Sequence, residues 1–157
     1  MQNDSSTILN ELKAHIGKTY LNSRSAAGKW LQYTIEQVEE GSIKLSMRVG
    51  EEMTNPMMTM HGGIMATVMD ECSGLAFYSS GAPTFYATLN LNIDYLRPAP
   101  LGSRIYAQAT LIRRGERIGN VQCQVFNDKE ELLAQSTTNL VNTEMTLLSL
   151  EEERIKK

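Results

Sequence analysis

The chain has 157 residues, with 15 basic and 18 acidic side chains and a formal net charge of −3. This length predicts one domain whose core needs no metal or disulfide to fold, and the acidic balance argues against a nucleic-acid binder. The apolar runs are too short to cross a membrane, and the first ten residues carry no secretory signal, so we expect a cytoplasmic protein.

The first third of the chain predicts one helix and two strands. Residues 4–17 have apolar side chains at helical spacing and predict an amphipathic helix. Residues 22–28 are small and polar and predict a loop. Strands are predicted at 30–38 and 42–49, and the turn at 39–41 joins them as a hairpin.

A longer helix is predicted over residues 64–78, which contain no proline. On a helical wheel one continuous arc is apolar, and it comprises Ile64, Met65, Val68, Met69, Cys72, Leu75 and Ala76. Asp70 lies on the opposite side among mostly small residues, which are Ala66, Thr67, Ser73, Gly74 and Phe77. The pattern predicts one apolar face and one small-residue face with a lone carboxylate.

The second half of the chain alternates apolar and polar residues and predicts sheet. Its strands are predicted at residues 85–96, 105–111, 118–126 and 132–141. Residues 143–157 predict a polar, frayed tail. The predicted fold is therefore α+β, with one long helix against an antiparallel sheet of about six strands and an additional N-terminal helix.

The segment His61-Gly62-Gly63 precedes the long helix. The first amides of a helix lack intrahelical partners, and glycines let a ligand atom approach the backbone closely. Such a site suits an anion or the developing oxyanion of acyl transfer. The alternative interpretation is that the two glycines only make a tight loop.

Asp70 is the second candidate for chemistry. A carboxylate between Ala66 and Gly74, one turn away on either side, suits close packing and can serve as a general base or nucleophile. The alternative is a solvated surface residue, of which Glu71 would be a second example.

Six of the nine methionines fall between Met53 and Met69. Flexible thioethers in a loop suit a pocket for a variable apolar group, although they also fill gaps in cores. Cys72 and Cys123 have no metal-ligand or disulfide spacing and are expected as inert core thiols. No metal-site, Walker or dinucleotide motif is present, so we expect no metal and no cofactor.

One motif of the sequence comprises Asn55, His61-Gly62-Gly63, Asp70, Thr88 and Asp94-Tyr95-Leu96-Arg97-Pro98-Ala99. With this motif the sequence resembles the hotdog-fold acyl-CoA thioesterases of the phenylacetate-pathway and thioesterase-superfamily-member type. The resemblance covers residues 30–142 and implies a single hotdog thioesterase domain over residues 1–157, in which the sheet wraps the long helix. It also implies a homodimer or a dimer of dimers (a homotetramer).

The resemblance implies a role for each matching residue. Asp70 would be the catalytic acid, and Thr88 would hold the attacking water. Gly62 and Gly63 would supply the amide that polarises the carbonyl, with His61 shaping the site and Asn55 adding a donor from the other subunit. The substrate-binding candidates are Met57, Met58, Met60 and Arg97. The arginines that meet the CoA phosphates stay open among Arg97, Arg104, Arg113, Arg114 and Arg117.

The sequence thus predicts hydrolysis of an acyl-CoA to free acid and CoA, with Asp70 as either general base or nucleophile. The alternative function is a hotdog protein that binds acyl-CoA without turning it over. Asp70 argues against that alternative, because a binder has no need of the carboxylate. A hotdog dehydratase is disfavoured, because His61 belongs to the glycine turn and is not paired with an acid.

Overall fold

The computed structural model describes residues 5–146, and one six-stranded sheet dominates it. The strands are β1 (Thr34–Glu39), β2 (Ser42–Arg48), β3 (Tyr86–Tyr95), β4 (Arg104–Arg114), β5 (Ile118–Asn127) and β6 (Leu132–Asn142). Their order is β1-β2-β4-β5-β6-β3, and every neighbouring pair is antiparallel. The predicted antiparallel sheet is confirmed, with β3 at one edge.

Three α-helices accompany the sheet: α1 (Ser5–Ala14), α2 (Ala26–Leu31) and α3 (Gly62–Ser79), with a short 3₁₀ turn at Glu51–Met53. The long helix α3 packs on the sheet, and its buried Met69, Cys72 and Phe77 join strand residues such as Ile35 and Val121 in one core. Cys72 and Cys123 are free and buried, as predicted. No helix within residues 5–146 combines the length and apolarity needed to cross a membrane.

The predicted N-terminal helix (4–17) and the predicted C-terminal tail (143–157) are only partly described by the structure. Residue 4 of the helix and residues 147–157 of the tail lie outside the described residues. The start of the tail is held at the sheet, because the Phe85 amide donates to the Met145 carbonyl at 2.7 Å and the Thr143 amide donates to the Phe85 carbonyl at 3.0 Å.

The prediction of a loop at 22–28 and a strand from residue 30 is wrong where α2 forms. The Ser25 side chain caps this helix by accepting from the Gly28 amide at 3.1 Å, and Gln32 ends it with a left-handed φ of 50°. The strand therefore begins at Thr34. The six residues Ala26–Leu31 are too few to show helical periodicity, so the Ser25 cap is the only local signal of this helix.

The prediction for the faces of α3 is wrong at several positions. Ser73 and Phe77 are fully buried, whereas Ile64 and Leu75 are only half-buried. The cause is the sheet, which covers α3 from β5 and β6 as well: Phe77 lies against Gly119, where a Cβ would collide with its ring, and the Thr138 hydroxyl donates to Ser73 Oγ at 3.5 Å. The partly open sector of α3 is displaced around the helix relative to the prediction and still contains Asp70 and Gly74.

Candidate active site

Asp70 and Thr88 meet where α3 passes β3. The Thr88 hydroxyl donates to Asp70 Oδ1 at 2.7 Å, and within residues 5–146 no hydrogen bond reaches the other carboxylate oxygen. The pairing of β3 with β6 shifts register between Thr88 and Asn90, so the predicted alternation breaks and Leu89 is 57% exposed. Bulges of this kind re-aim a neighbouring side chain, which explains how Thr88 reaches the helix.

A cavity of about 390 Å³ opens beside this pair. It is bounded by α3, by the start of β3, by α1 and by the segment 23–25 that directly precedes α2. Asp70 and Thr88 line it together with a mostly apolar set of side chains, which includes Ile8, Leu12, Leu75, Tyr78, Phe85 and Leu140. The volume lies in the range of small-molecule sites in proteins.

Glu71 anchors the N-terminal segment to α3. Its Oε1 accepts from the Ser23 hydroxyl at 2.6 Å and from the Tyr33 hydroxyl at 2.9 Å, and a Cβ at Gly28 would collide with it. Burial, followed by the charge of Glu71, raises the pKa of Tyr33 above its ordinary value. The interpretation of Glu71 as a solvated acid is therefore wrong, because three contacts from residues 23–33 cover it.

The start of α3 is organised by His61. Its Nδ1 accepts from the Gly63 amide at 2.9 Å, which makes His61 the N-cap of the helix. Among the described residues the Gly62 amide has no hydrogen-bond partner, whereas the Gly62 carbonyl accepts from the Tyr95 hydroxyl at 2.8 Å. Of the two glycines named for an amide donor, Gly62 is thus the one whose N–H is free for a ligand.

The Asn55 side chain holds its own loop. Its Oδ1 accepts from the amides of Met57 at 2.9 Å and Thr59 at 3.3 Å, and its Nδ2 donates to Thr59 Oγ1 at 3.0 Å. In this arrangement the amide donor of Asn55 is engaged inside the loop. The loop itself lies next to residues 97–101, because the Met60 amide donates to the Ala99 carbonyl at 2.8 Å.

The four substrate-binding candidates lie in this loop and in the adjoining segment 97–101, and they do not line the cavity at Asp70. Met60 is buried in the hydrophobic core, so for this residue the gap-filling interpretation holds. Met57 and Met58 are exposed, Met57 to 81%. Arg97 is also exposed, and its Nη1 donates to the Leu132 carbonyl at 2.8 Å.

Comparisons with known proteins identify the family. The sequence profile of the thioesterase superfamily matches residues 57–134. Acyl-coenzyme A thioesterase 13 of Homo sapiens is 32% identical over 105 residues, which cover 65% of this chain and 74% of that protein. The chain belongs to the thioesterase superfamily. The resemblance drawn from the motifs is confirmed.

Two solved structures are similar to this chain in fold. The E. coli PaaI protein from the phenylacetic acid degradation operon matches with a TM-score of 0.77 at 22% identity, over 90% of this chain and 97% of that chain. A Streptococcus mutans protein bound to acetyl-CoA matches with a TM-score of 0.68 at 22% identity, over 82% and 96% of the two chains. The predicted hotdog fold is confirmed.

In this thioesterase-superfamily chain the predicted site residues form two separate groups. Asp70 and Thr88 share the cavity, while Asn55, His61, Gly62 and Gly63 cluster at the start of α3. Gly62 and Asp70 are eight residues apart on one helix, which corresponds to about 12 Å along its axis. Sequence reasoning gave no site role to two residues that belong to these groups. Glu71 lines the cavity and accepts from the Tyr33 hydroxyl, and the Tyr95 hydroxyl donates to the Gly62 carbonyl. Within residues 5–146 no cluster of three metal-ligating side chains is found.

Proposed function

We propose that the protein hydrolyses acyl-CoA thioesters to the free acid and CoA, with Asp70 acting at the thioester carbonyl. The observation that carries this proposal is the Asp70–Thr88 hydrogen bond at the edge of a mostly apolar cavity. A carboxylate there can act on a carbonyl whose acyl chain occupies the cavity. The name of the human relative and the acetyl-CoA bound to the Streptococcus mutans protein support this choice of substrate.

Two routes use the same carboxylate. As a general base, Asp70 takes a proton from a water that adds to the carbonyl carbon, and Thr88 holds that water. As a nucleophile, Asp70 adds to the carbonyl itself and forms an anhydride that water then cleaves. In both routes the C–S bond breaks, the CoA thiolate leaves and takes up a proton, and one water is consumed.

The Gly62 amide is proposed to polarise the carbonyl oxygen from the start of a helix, where the backbone dipoles favour negative charge. His61 and Tyr95 are positioning residues for it, because they hold the adjoining Gly63 amide and Gly62 carbonyl. An oxyanion donor and the attacking group must both lie about 3 Å from one reacting centre. A separation of about 12 Å within one helix does not allow this.

We therefore propose a homodimer in which Asp70 of one subunit works with Gly62 of the other. The free edge of β3 supports it: this ten-residue strand pairs only with β6 among the described strands, and most of its residues are exposed. Such an edge is a template for pairing with a second chain. A two-fold axis at this edge makes the partner's α3 run in the opposite direction, so that the start of one helix can face the middle of the other. Two-fold symmetry is the usual symmetry of closed dimers. Met57, Met58 and Arg97 are proposed to meet the substrate from that second subunit.

The test is release of free thiol from a panel of aliphatic and aromatic acyl-CoAs. Asp70→Asn is expected to lower kcat by about 10²–10⁴, the usual contribution of a positioned acid–base group. Asp128→Asn is the matched control, because Asp128 is exposed in the turn between β5 and β6. Full activity in Asp70→Asn, or tight acyl-CoA binding by the unaltered protein without thiol release, would contradict the proposal.

A further inference from the structure

Gly74 lies in the interior of α3, and no packing contact among residues 5–146 requires a glycine there. It lines the cavity one turn after Asp70, and apart from its own helical turn a Cβ built on it would meet no heavy atom of those residues within 4 Å. Glycine is the least favourable residue in a helix interior after proline, so the packing of the described residues does not explain why this position is a glycine. The open space over Gly74 belongs to the cavity and is available to a ligand.

Asp70, Gly74 and Tyr78 form one row along α3, because residues four apart lie on the same face of a helix. All three line the cavity. From Asp70 to Tyr78 the row measures about 12 Å, the rise of eight helical residues. The cavity thus leads from the proposed reacting carbonyl, past the glycine, to the ring of Tyr78.

Tyr78 is firmly held at the far end. Its hydroxyl accepts from the Tyr86 amide at 3.0 Å and donates to the Tyr86 carbonyl at 3.3 Å, and its ring stacks on Phe85 with centroids 6.1 Å apart. Burial raises the pKa of Tyr78 to about 12, so the phenol stays neutral. A fixed, uncharged ring is suited to ending a channel for an apolar chain.

The remaining walls favour an uncharged occupant. Ile8, Leu12 and Leu75 lie along the cavity, and its ionisable residues have partners within the chain. Glu11 accepts from the Tyr20 hydroxyl at 3.0 Å and Glu71 accepts from Ser23 and Tyr33, while Arg24 also has a partner. An apolar chain can therefore enter without leaving a buried charge unpaired.

We propose that Gly74 sets the width, and Tyr78 the length, of a channel for the acyl chain of the substrate. This inference rests on the proposed thioesterase function. An extended chain advances about 3.5 Å for every three bonds, so about 12 Å holds about ten carbons. The substrate class is accordingly unbranched acyl-CoA of up to about ten carbons, with a sharp fall in kcat/KM beyond that length.

The experiment measures kcat/KM for straight-chain acyl-CoAs from four to fourteen carbons in the full-length protein. Gly74→Leu is expected to lower the ratio of decanoyl to butyryl kcat/KM by about tenfold or more, since one methylene in a tight apolar pocket is worth about 10–200-fold. Ala27→Leu adds a similar side chain to the exposed surface of α2 and should leave the ratio unchanged. A ratio from one preparation does not depend on how much of the variant is folded.

Two further variants separate the channel from a structural role. Gly74→Ala is expected to raise Tm by about 2–4 °C, because it improves helix propensity, while it lowers the decanoyl-to-butyryl ratio. Tyr78→Ala should extend the accepted length by several carbons, whereas Tyr78→Phe keeps the ring and should keep the cut-off. An unchanged chain-length profile in Gly74→Leu and Tyr78→Ala would overturn the proposal.

The oligomeric state of each variant distinguishes a ligand channel from a subunit contact. If Gly74→Leu dissociates the assembly in light scattering, the space over Gly74 belongs to a partner subunit and the inference is wrong. Failure of the thioesterase function itself has a different signature, because the unaltered protein would then release no thiol from any acyl-CoA.

Discussion

The start of α3 and its middle each hold a different group that the proposed hydrolysis needs. At the start, the Gly62 amide, free among the described residues, lies at the positive end of the helix, and the groups hydrogen-bonded around it come from His61 and Tyr95, neither of which is an acid. In the middle, Asp70 and Thr88 face a cavity, and the helix amides around Asp70 are already bonded and cannot receive a developing oxyanion. Within α3, each region has a group that the other lacks.

Under the proposed mechanism, this difference makes one chain an incomplete site. The two regions are joined by a rigid helix and therefore cannot approach each other by loop motion. The proposed second copy would bring the start of its own α3 to Asp70, and the free edge of β3 provides a place for that copy. The predictions below alter one region at a time, from the largest expected effect to the smallest.

Gly62→Pro removes the proposed oxyanion donor and little else. Gly62 is the first residue of α3, where proline is well tolerated, and His61 before it has the extended ψ of 137° that a following proline requires. We expect kcat to fall by about 10²–10³, the usual effect of losing one such donor. Gly62→Ala keeps the amide and adds a Cβ at ordinary contact distance, 3.5 Å from Tyr95, so it should stay close to full activity. Equal kcat in the two variants would refute the role of the amide.

Thr88→Val removes the hydroxyl that donates to Asp70 and keeps the side-chain shape. We expect kcat to fall by about ten- to a hundredfold, which corresponds to a hydrogen bond to a charged group of about 1.5–3 kcal/mol. Thr88→Ser retains the hydroxyl and should recover most of the rate. If Thr88→Val released thiol as fast as the unaltered enzyme, Thr88 would have no role in the proposed reaction at Asp70.

Tyr33→Phe tests the support behind the cavity and should affect stability rather than kcat. It deprives Glu71 of one donor and is expected to cost about 1–3 kcal/mol in urea unfolding at pH 7. Tyr106→Phe, on a residue with no hydroxyl hydrogen bond in the described chain, should cost less. A larger loss for Tyr106→Phe would show that Glu71 does not anchor the segment before β1.

The same tyrosines predict a pH dependence. Burial raises the pKa of Tyr20, Tyr33 and Tyr78, the last to about 12, above the ordinary value of about 10. The folded state therefore favours the neutral phenols. This stabilisation is fully present below pH 10 and decreases as the pH rises above it, with the share of Tyr78 lost through about pH 12. The free energy of unfolding should fall over that interval, less steeply in Tyr33→Phe. A flat profile between pH 10 and 12 would contradict this assignment.

Much of the fold was predictable because its elements are long and periodic. The existence of the six strands and of α3 follows from period-2 and period-3.6 patterns, and the first hairpin turns at Gly41, within the predicted turn 39–41. The helix α2 was missed because six residues with a glycine show no period, and its formation depends on the Ser25 cap and on Glu71 beneath Gly28.

The sequence predicted individual site residues but not their arrangement in space. The motif identifies Asp70, Thr88 and the glycine pair, but not which glycine amide is free, because that depends on the His61 ring capping Gly63. Helical-wheel reasoning misplaced Ser73 and Phe77, since it assumes one covering layer while the sheet curls around α3. The cavity could not be predicted, because α1 and residues 23–25 reach it only through tertiary contacts.

The most direct test of the two-subunit site is a purified heterodimer of one Asp70→Asn chain and one Gly62→Pro chain, obtained by co-expression with two different tags. If each site takes Asp70 from one chain and Gly62 from the other, one site carries both defects and the other carries none. The heterodimer should then show about half the unaltered kcat, while both variant homodimers are nearly inactive. Activity no higher than that of the homodimers would contradict the account.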